Sequence, residues 1–566
     1  MLGLLLVTVV WLRPNPKAIM LDLWYKDAVI YCLDVELYMD GNGDGVGDFV
    51  GLIDRLDYIA GLGVNCIWLM PFYPSPNRDN GYDITDYYNV DQRLGTLGDF
   101  VEFTRQAKQR GLKVIVDLVV NHTSTDHPWF QTACKDKSSK YRDYYVWADE
   151  KPKNADEGII FPGYQDSTWT YNEEAGAYYF HRFYEHQADL NVANPLVREE
   201  IYKVMGFWLQ MGVSGFRVDA VPFLIELEGI KDTAEAKDPL LFLKEIRDFL
   251  SWRRGDAILL AEVNEPMDKI ADYFGEGDRM QILFSFMGNQ TFTLAMAREE
   301  AAPLINGLKS QPQPPEIGQW AYFVRNHDEL TLDKLSAEEQ DEILQRFNQD
   351  KDQVWVFDRG IRRRFPPLLD NDPRRIRLAY SLMLTLPGTP VLFYGEEIGM
   401  GDDLSLEARD ALRTPMQWSD HKNGGFSTAD PKDLVRSVID EGPYGYPQLN
   451  VIEQRRDSES LLNWMERAIR MRKECPEFGW GSWEIIDTDC PSVFAHRCQW
   501  RDGTIIAIHN LSKEACVVTL KLSDDKVTPL INLLGDRPYE SVQEGSHEIE
   551  LESYGYRWFR VGSLHL

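Results

Sequence analysis

From residue 28 onward, short apolar runs alternate with longer stretches in which apolar residues recur at helical spacing. Runs at 28–35, 64–70, 113–120, 281–286 and 390–395 read as strands, as do the three that close on Asp219, Glu262 and Asp328. Stretches at 52–62, 100–110, 195–211 and 239–253 read as helices between them. Eight strands with intervening helices predict an α/β fold, a closed (β/α)8 barrel. An open doubly wound sheet is the competitor, and it would concentrate ligand contacts at one switch point instead of on many strand ends.

Two segments are too long for ordinary loops. Residues 123–186, rich in Trp, Tyr, Pro and Asp, predict an inserted subdomain beside the cleft, which divides the barrel into 22–122 and 187–484. Residues 331–375 carry an acidic helix and then Arg362-Arg363-Arg364, and read as a lid. From 485 to 566 the pattern shifts to short alternating strands, as in 503–509 and 515–520, which predicts a C-terminal antiparallel β-domain.

Polar residues gather where four of the runs stop. One closes on Asn121 and His122, one on Arg217 and Asp219, one on Glu262, and one on His327 and Asp328. Such ends line the active face of a parallel barrel. A carboxylate with a guanidinium two positions before it, on the same side of a strand, is held ionised and aimed, as a nucleophile must be. Taken alone, a charged strand end is more often a structural ion pair.

Together these segments resemble the signature regions of the α-amylase family, glycoside hydrolase family 13, along most of the chain. The resemblance implies a retaining mechanism, which needs two carboxyl groups about 5–5.5 Å apart. Asp219 would be the nucleophile and Glu262 the acid/base, with Asp328 gripping sugar hydroxyls beside His122 and His327. Within 81–87, Tyr82 would stack on the bound ring and Asp83 would hold its outer hydroxyls. Arg413, in 412–418, would pair with Asp83 and close the site behind one glucose. Residues 187–191 resemble a further signature of the α-glucosidase-like branch.

Residues 40–48 place oxygen-bearing groups at alternate positions with glycines between them. An EF-hand would need a bidentate Glu where Gly51 stands. The run instead resembles the calcium loop of the same branch, with Asp40, Asn42, Asp44 and Asp48 by side chain and Val46 by carbonyl. The ion would be structural, and a metal-free acidic turn is the alternative. Runs 71–76, 219–224, 325–332 and 413–418 resemble the group that converts maltose to trehalose, whereas 263–266 and 284–289 depart from it. The implied substrates are maltose, trehalose and short α-gluco-oligosaccharides, with hydrolysis of α-1,4 bonds as the alternative and a non-catalytic sugar-binding relative as the lesser one.

Composition narrows the partners. Lys+Arg 60 against Asp+Glu 90 gives a net charge of −30, which argues against nucleic acid or an anionic membrane and suits a neutral ligand. Seven cysteines without a C-x-x-C pair form neither a disulfide framework nor a thiolate metal site, and the expected compartment is the cytoplasm. The apolar stretch 1–11 is too short to span a bilayer, and Met20 reads as the start, leaving 1–21 as an N-terminal extension. A homo-oligomer is neither required nor excluded.

Overall fold

The structure, a computed structural model, describes residues 23–224, 240–520, 529–539 and 548–562. The N-terminal extension at 1–21 lies outside the described residues. Eight strands close a parallel barrel: β1 (Ile30–Leu33), β2 (Cys66–Leu69), β3 (Lys113–Leu118), β4 (Gly215–Val218), β5 (Ile258–Ala261), β6 (Ile282–Phe284), β7 (Gln319–Phe323) and β8 (Thr389–Phe393). Each pairs with its sequence neighbour, and β1 pairs with β8. The strands are buried on nearly every residue, because barrel side chains fill the inside while helices cover the outside. Local chemistry starts the helices: a Thr96–Asp99 capping box opens Leu97–Gln109, and the Asn194 side chain followed by Pro195 opens Pro195–Gln210.

Two expected elements differ in detail. The helix expected at 52–62 is two helices, Phe49–Asp54 and Leu56–Leu62, broken at Arg55. The run 113–122 is not one strand: β3 stops at Leu118, and His122–Ser124 pairs antiparallel with Gln187–Asp189. That ribbon ties off the insertion, whose helix Pro128–Lys135 and three-stranded antiparallel sheet stand beside the barrel mouth. The segment after β7 forms a second small sheet, in which Gly360–Ile361 pairs with Leu330–Thr331 on one side and Trp355–Val356 on the other.

The chain ends in a five-stranded antiparallel sheet and a two-stranded one. Polar groups stitch the larger sheet to the helix Pro373–Thr385: the Ser381 hydroxyl meets His509 Nε2 and Trp558 Nε1, each at 2.9 Å, and His496 Nε2 meets the Thr385 carbonyl at 2.8 Å. All seven cysteines are free, and among the described residues no helix is long and apolar enough to cross a membrane.

Candidate active site

Strands β4 and β5 run in register with Val218 opposite Ala261, so Asp219 and Glu262 leave the barrel side by side. Arg217, a strand residue 2% exposed, points into the barrel and joins three carboxylates. One Nη holds Asp117 at 2.6 Å and also Asp219, and the other holds Glu262 at 2.8 Å. Asp117 lies opposite Arg217 on β3 and accepts a further bond from Trp68 Nε1 at 2.8 Å. One guanidinium bonded to both keeps Asp219 and Glu262 together at the barrel mouth, where a glycosidase needs its pair of carboxyl groups. Ala220 takes a left-handed φ of 47°. This conformation, which costs a non-glycine residue on the order of 1–3 kcal/mol, aims its N–H at Glu262 Oε2, 3.1 Å away.

Burial pushes the Asp219 carboxyl up to about 6 against the pull of Arg217. Burial takes Glu262 higher, to about 7, with Arg217 opposing and the negative charge of Asp219 adding to the rise. Burial thus raises both carboxyls, while the shared Arg217 opposes the rise in each. Asp328 goes the other way: burial alone would raise it, but Arg409 and Arg413 hold it well below the carboxylate range. Their Nη atoms stand 3.1 and 2.9 Å from its Oδ1.

Burial keeps both site histidines neutral, His122 at about 3 and His327 also far below its ordinary value. His327 Nε2 is 2.8 Å from the Tyr82 hydroxyl and 3.4 Å from Asp328, and its ring lies nearly parallel to that of Tyr82. His122 faces the cavity with its Nε2 on the Tyr82 carbonyl at 3.1 Å and its Nδ1 beside the Asn121 amide. As a donor to a sugar it would have to release Tyr82.

Tyr82, His122, Asp219, Glu262 and Asp328 line one cavity of about 310 Å³. Asp83 does not. It is fully buried and turned into its own loop, where its carboxylate accepts from Ser75 Oγ at 2.8 Å and from the amides of Asp79 and Arg78. Asp79, four residues earlier, takes the position on the wall, with its carboxyl raised to about 6 by burial against Arg409. Nor does Arg413 pair with Asp83: its guanidinium bonds Asp328 and the His327 carbonyl, and Arg409 and Arg359, not Arg413, line the cavity. The turn at 79–83 puts an aspartate on each side of Asn80 and Gly81, both with positive φ, and spacing alone does not say which one faces inward. Asp117, the third carboxylate on Arg217, shows in the sequence as a single acid inside the apolar run of β3 and not at its end.

The mouth of the cavity is flanked by segments far apart in sequence. Phe161 of the insertion packs against Val356 and Phe357 of the small sheet after β7. Beside them Glu329 accepts from Arg359 Nε at 2.7 Å and from Arg409 Nε at 2.8 Å. Asn264 and Glu265, in the departing stretch 263–266, also line the cavity, and Asn264 Nδ2 reaches Asp333 at 3.1 Å.

The loop at 40–48 lies after β1, away from these groups. Asp40 accepts from the amides of Asn42, Gly43 and Gly45 and from Ser427 Oγ, and Asp48 accepts from the amides of Gly41, Asn42 and Gly51. Asn42 and Asp44 cap the amides two residues on. Among the described residues no three carboxylate, His or Cys side chains gather where a metal could sit. The donor chemistry thus suits calcium, while the side chains as placed face their own backbone, and the fit is partial.

The α-amylase catalytic-domain profile matches residues 35–481, and the profile of a sucrose hydrolase-like C-terminal domain matches 503–560. The chain is 41% identical to "Trehalose synthase/amylase TreS" of Mycobacterium tuberculosis over 95% of its own length and 90% of the relative's. It is 32% identical to a glucan 1,6-alpha-glucosidase of Streptococcus pneumoniae, over 89% and 94%. Among solved structures, the trehalulose synthase MutB from Pseudomonas mesoacidophila MX-45 superposes with a TM-score of 0.76 at 27% identity, covering 95% of this chain and 99% of that one. With matches of this length over a barrel whose strand ends carry these carboxylates, the chain belongs to the α-amylase family, glycoside hydrolase family 13.

Proposed function

We propose that the protein is a retaining α-glucosyl-transferring enzyme that interconverts maltose and trehalose. The observation that carries this reading is Arg217, which holds Asp219 and Glu262 on one guanidinium in the cavity at the barrel mouth. In the first step an Asp219 oxygen bonds to the anomeric carbon as the glycosidic C–O bond breaks, and the Glu262 proton passes to the departing oxygen. In the second, a hydroxyl of the released glucose bonds to that carbon, its proton goes to Glu262, and the ester to Asp219 breaks. Asp328, kept ionised by Arg409 and Arg413, would grip ring hydroxyls most strongly as positive charge develops on the sugar, and Asp79 with Arg409 would hold the ring's far side. The full-length similarity to a relative named trehalose synthase/amylase supports the choice of acceptor.

Glu262→Gln removes the proton donor, so turnover of maltose should be lost, whereas an α-glucosyl donor with a good leaving group needs little protonation and should still glycosylate Asp219. Mass spectrometry of the quenched variant should show a glucosyl adduct on the peptide containing Asp219. Absence of any adduct, with the leaving group released, would contradict a covalent route.

Hydrolysis of α-1,4 bonds, as by an α-glucosidase or α-amylase, is the second reading, favoured by Asn264 and Glu265 on the cavity wall where the sequence departs from the maltose-converting group. We also propose structural calcium at 40–48, supported by the alternation of oxygen donors with glycines. A cytoplasmic location is supported by the seven free cysteines.

A further inference from the structure

We propose that Arg359 is a specificity-determining latch: by holding Glu329 from the lid side it keeps the sheet after β7 over the cavity mouth and sets how much glucosyl-enzyme is lost to water. The proposal rests on the transfer reading given above. Glu329 follows Asp328 directly in the chain, and its side chain is only 2% exposed. Its two oxygens are taken by two guanidiniums from different segments, Arg359 at 2.7 Å and Arg409 at 2.8 Å. Both guanidiniums lie over the same two rings, Phe161 of the insertion at 5.6 and 5.1 Å and Phe357 of the lid at 5.7 and 5.2 Å. Insertion, lid and the segment carrying Arg409 therefore converge on one carboxylate.

The backbone commits Arg359 to this place. Phe357 and Asp358 both take left-handed φ, near 54° and 52°, which folds the turn back so that the Arg359 side chain reaches the cavity wall. The rest of the lid is anchored elsewhere, by Gln290 on Asp333, Arg298 on Glu342 and Arg363 on Asp402, so at its inner edge the Arg359–Glu329 pair and the aromatic contacts supplement the backbone pairing of Gly360–Ile361 with Leu330–Thr331. Removing the Arg359 charge leaves that pairing and the Arg409–Glu329 contact in place, so the fold should survive while the mouth opens more often. The chemistry makes the consequence readable. Water and sugar hydroxyl break the same ester bond to Asp219 and give their proton to the same Glu262, so the ratio of their products reports which of them reaches the anomeric carbon.

The test compares wild type, Arg359→Gln and Arg359→Lys on saturating maltose, with free glucose and trehalose separated during the first few per cent of reaction. Arg359→Gln should raise the glucose-to-trehalose ratio by about threefold or more, while circular dichroism and a cooperative melt show that the variant is folded. Arg359→Lys keeps the charge without the planar fork and should fall between. An unchanged ratio in Arg359→Gln, with wild type making trehalose, overturns the latch alone. Wild type that makes no trehalose overturns the reading on which the latch rests, and the latch with it.

Discussion

At the scale of residues, chemistry is set by how Arg217 divides its charge. It opposes the effect of burial on Asp219 and Glu262, and the remainder leaves the two at about 6 and about 7. Transfer needs Asp219 without its proton and Glu262 with it. Below about 6 the nucleophile is lost, and above about 7 the acid is lost, so kcat/KM on maltose should follow a narrow bell centred between these values, its limbs belonging to the pair. A profile flat from about pH 5 to 9 would contradict the assignment. Asp219→Asn keeps the shape but not the nucleophile, and should lower turnover by at least about three orders of magnitude with little change in folding, read by circular dichroism. Asp219, Glu262, Asp328 and Arg217 were legible in the sequence because each sits at or beside the end of an apolar run that the barrel must bury. Asp79 and Arg409 were not, since both lie in loops whose inward side is decided by tertiary contacts such as the capping of 75–79 by Asp83.

At the scale of elements, the barrel strands were readable because double-sided burial writes long apolar runs, and the observed strands fall within or overlap all eight expected ones. Where such runs end was less readable. His122 continues an apolar run in sequence but belongs to a ribbon with Gln187–Asp189, because partner strands and not composition end β3. The two-residue strands of the mouth are too short to carry any period, and only their register shows that 331–375 folds back on itself. The loop 40–48 is an element of a third kind, closed on its own amides. If calcium binds the native loop alone, adding it should raise the melting temperature and a chelator should lower it, by an amount set by how far the free ion exceeds its dissociation constant. Initial rates at low temperature should stay unchanged, since the loop lies away from Asp219 and Glu262. A melting temperature indifferent to both additions would assign the loop to its amide closure.

At the scale of the molecule, three parts cooperate around one cavity. The barrel supplies the carboxylates, the insertion supplies Phe161, and the sheet after β7 supplies Phe357 and Arg359, while the C-terminal sheet braces the barrel wall through Ser381, His496 and His509. A narrowed mouth helps an enzyme that must keep a released sugar long enough for it to turn and attack through another hydroxyl. The net charge of −30 fits this picture, because a neutral disaccharide is not repelled. The direct test is to incubate the purified protein with maltose as sole substrate and separate the products chromatographically from the earliest times. Trehalose should appear at once, accompanied by a smaller amount of free glucose; glucose alone, with no trehalose even at high maltose concentration, would contradict the account and leave an α-glucosidase in its place.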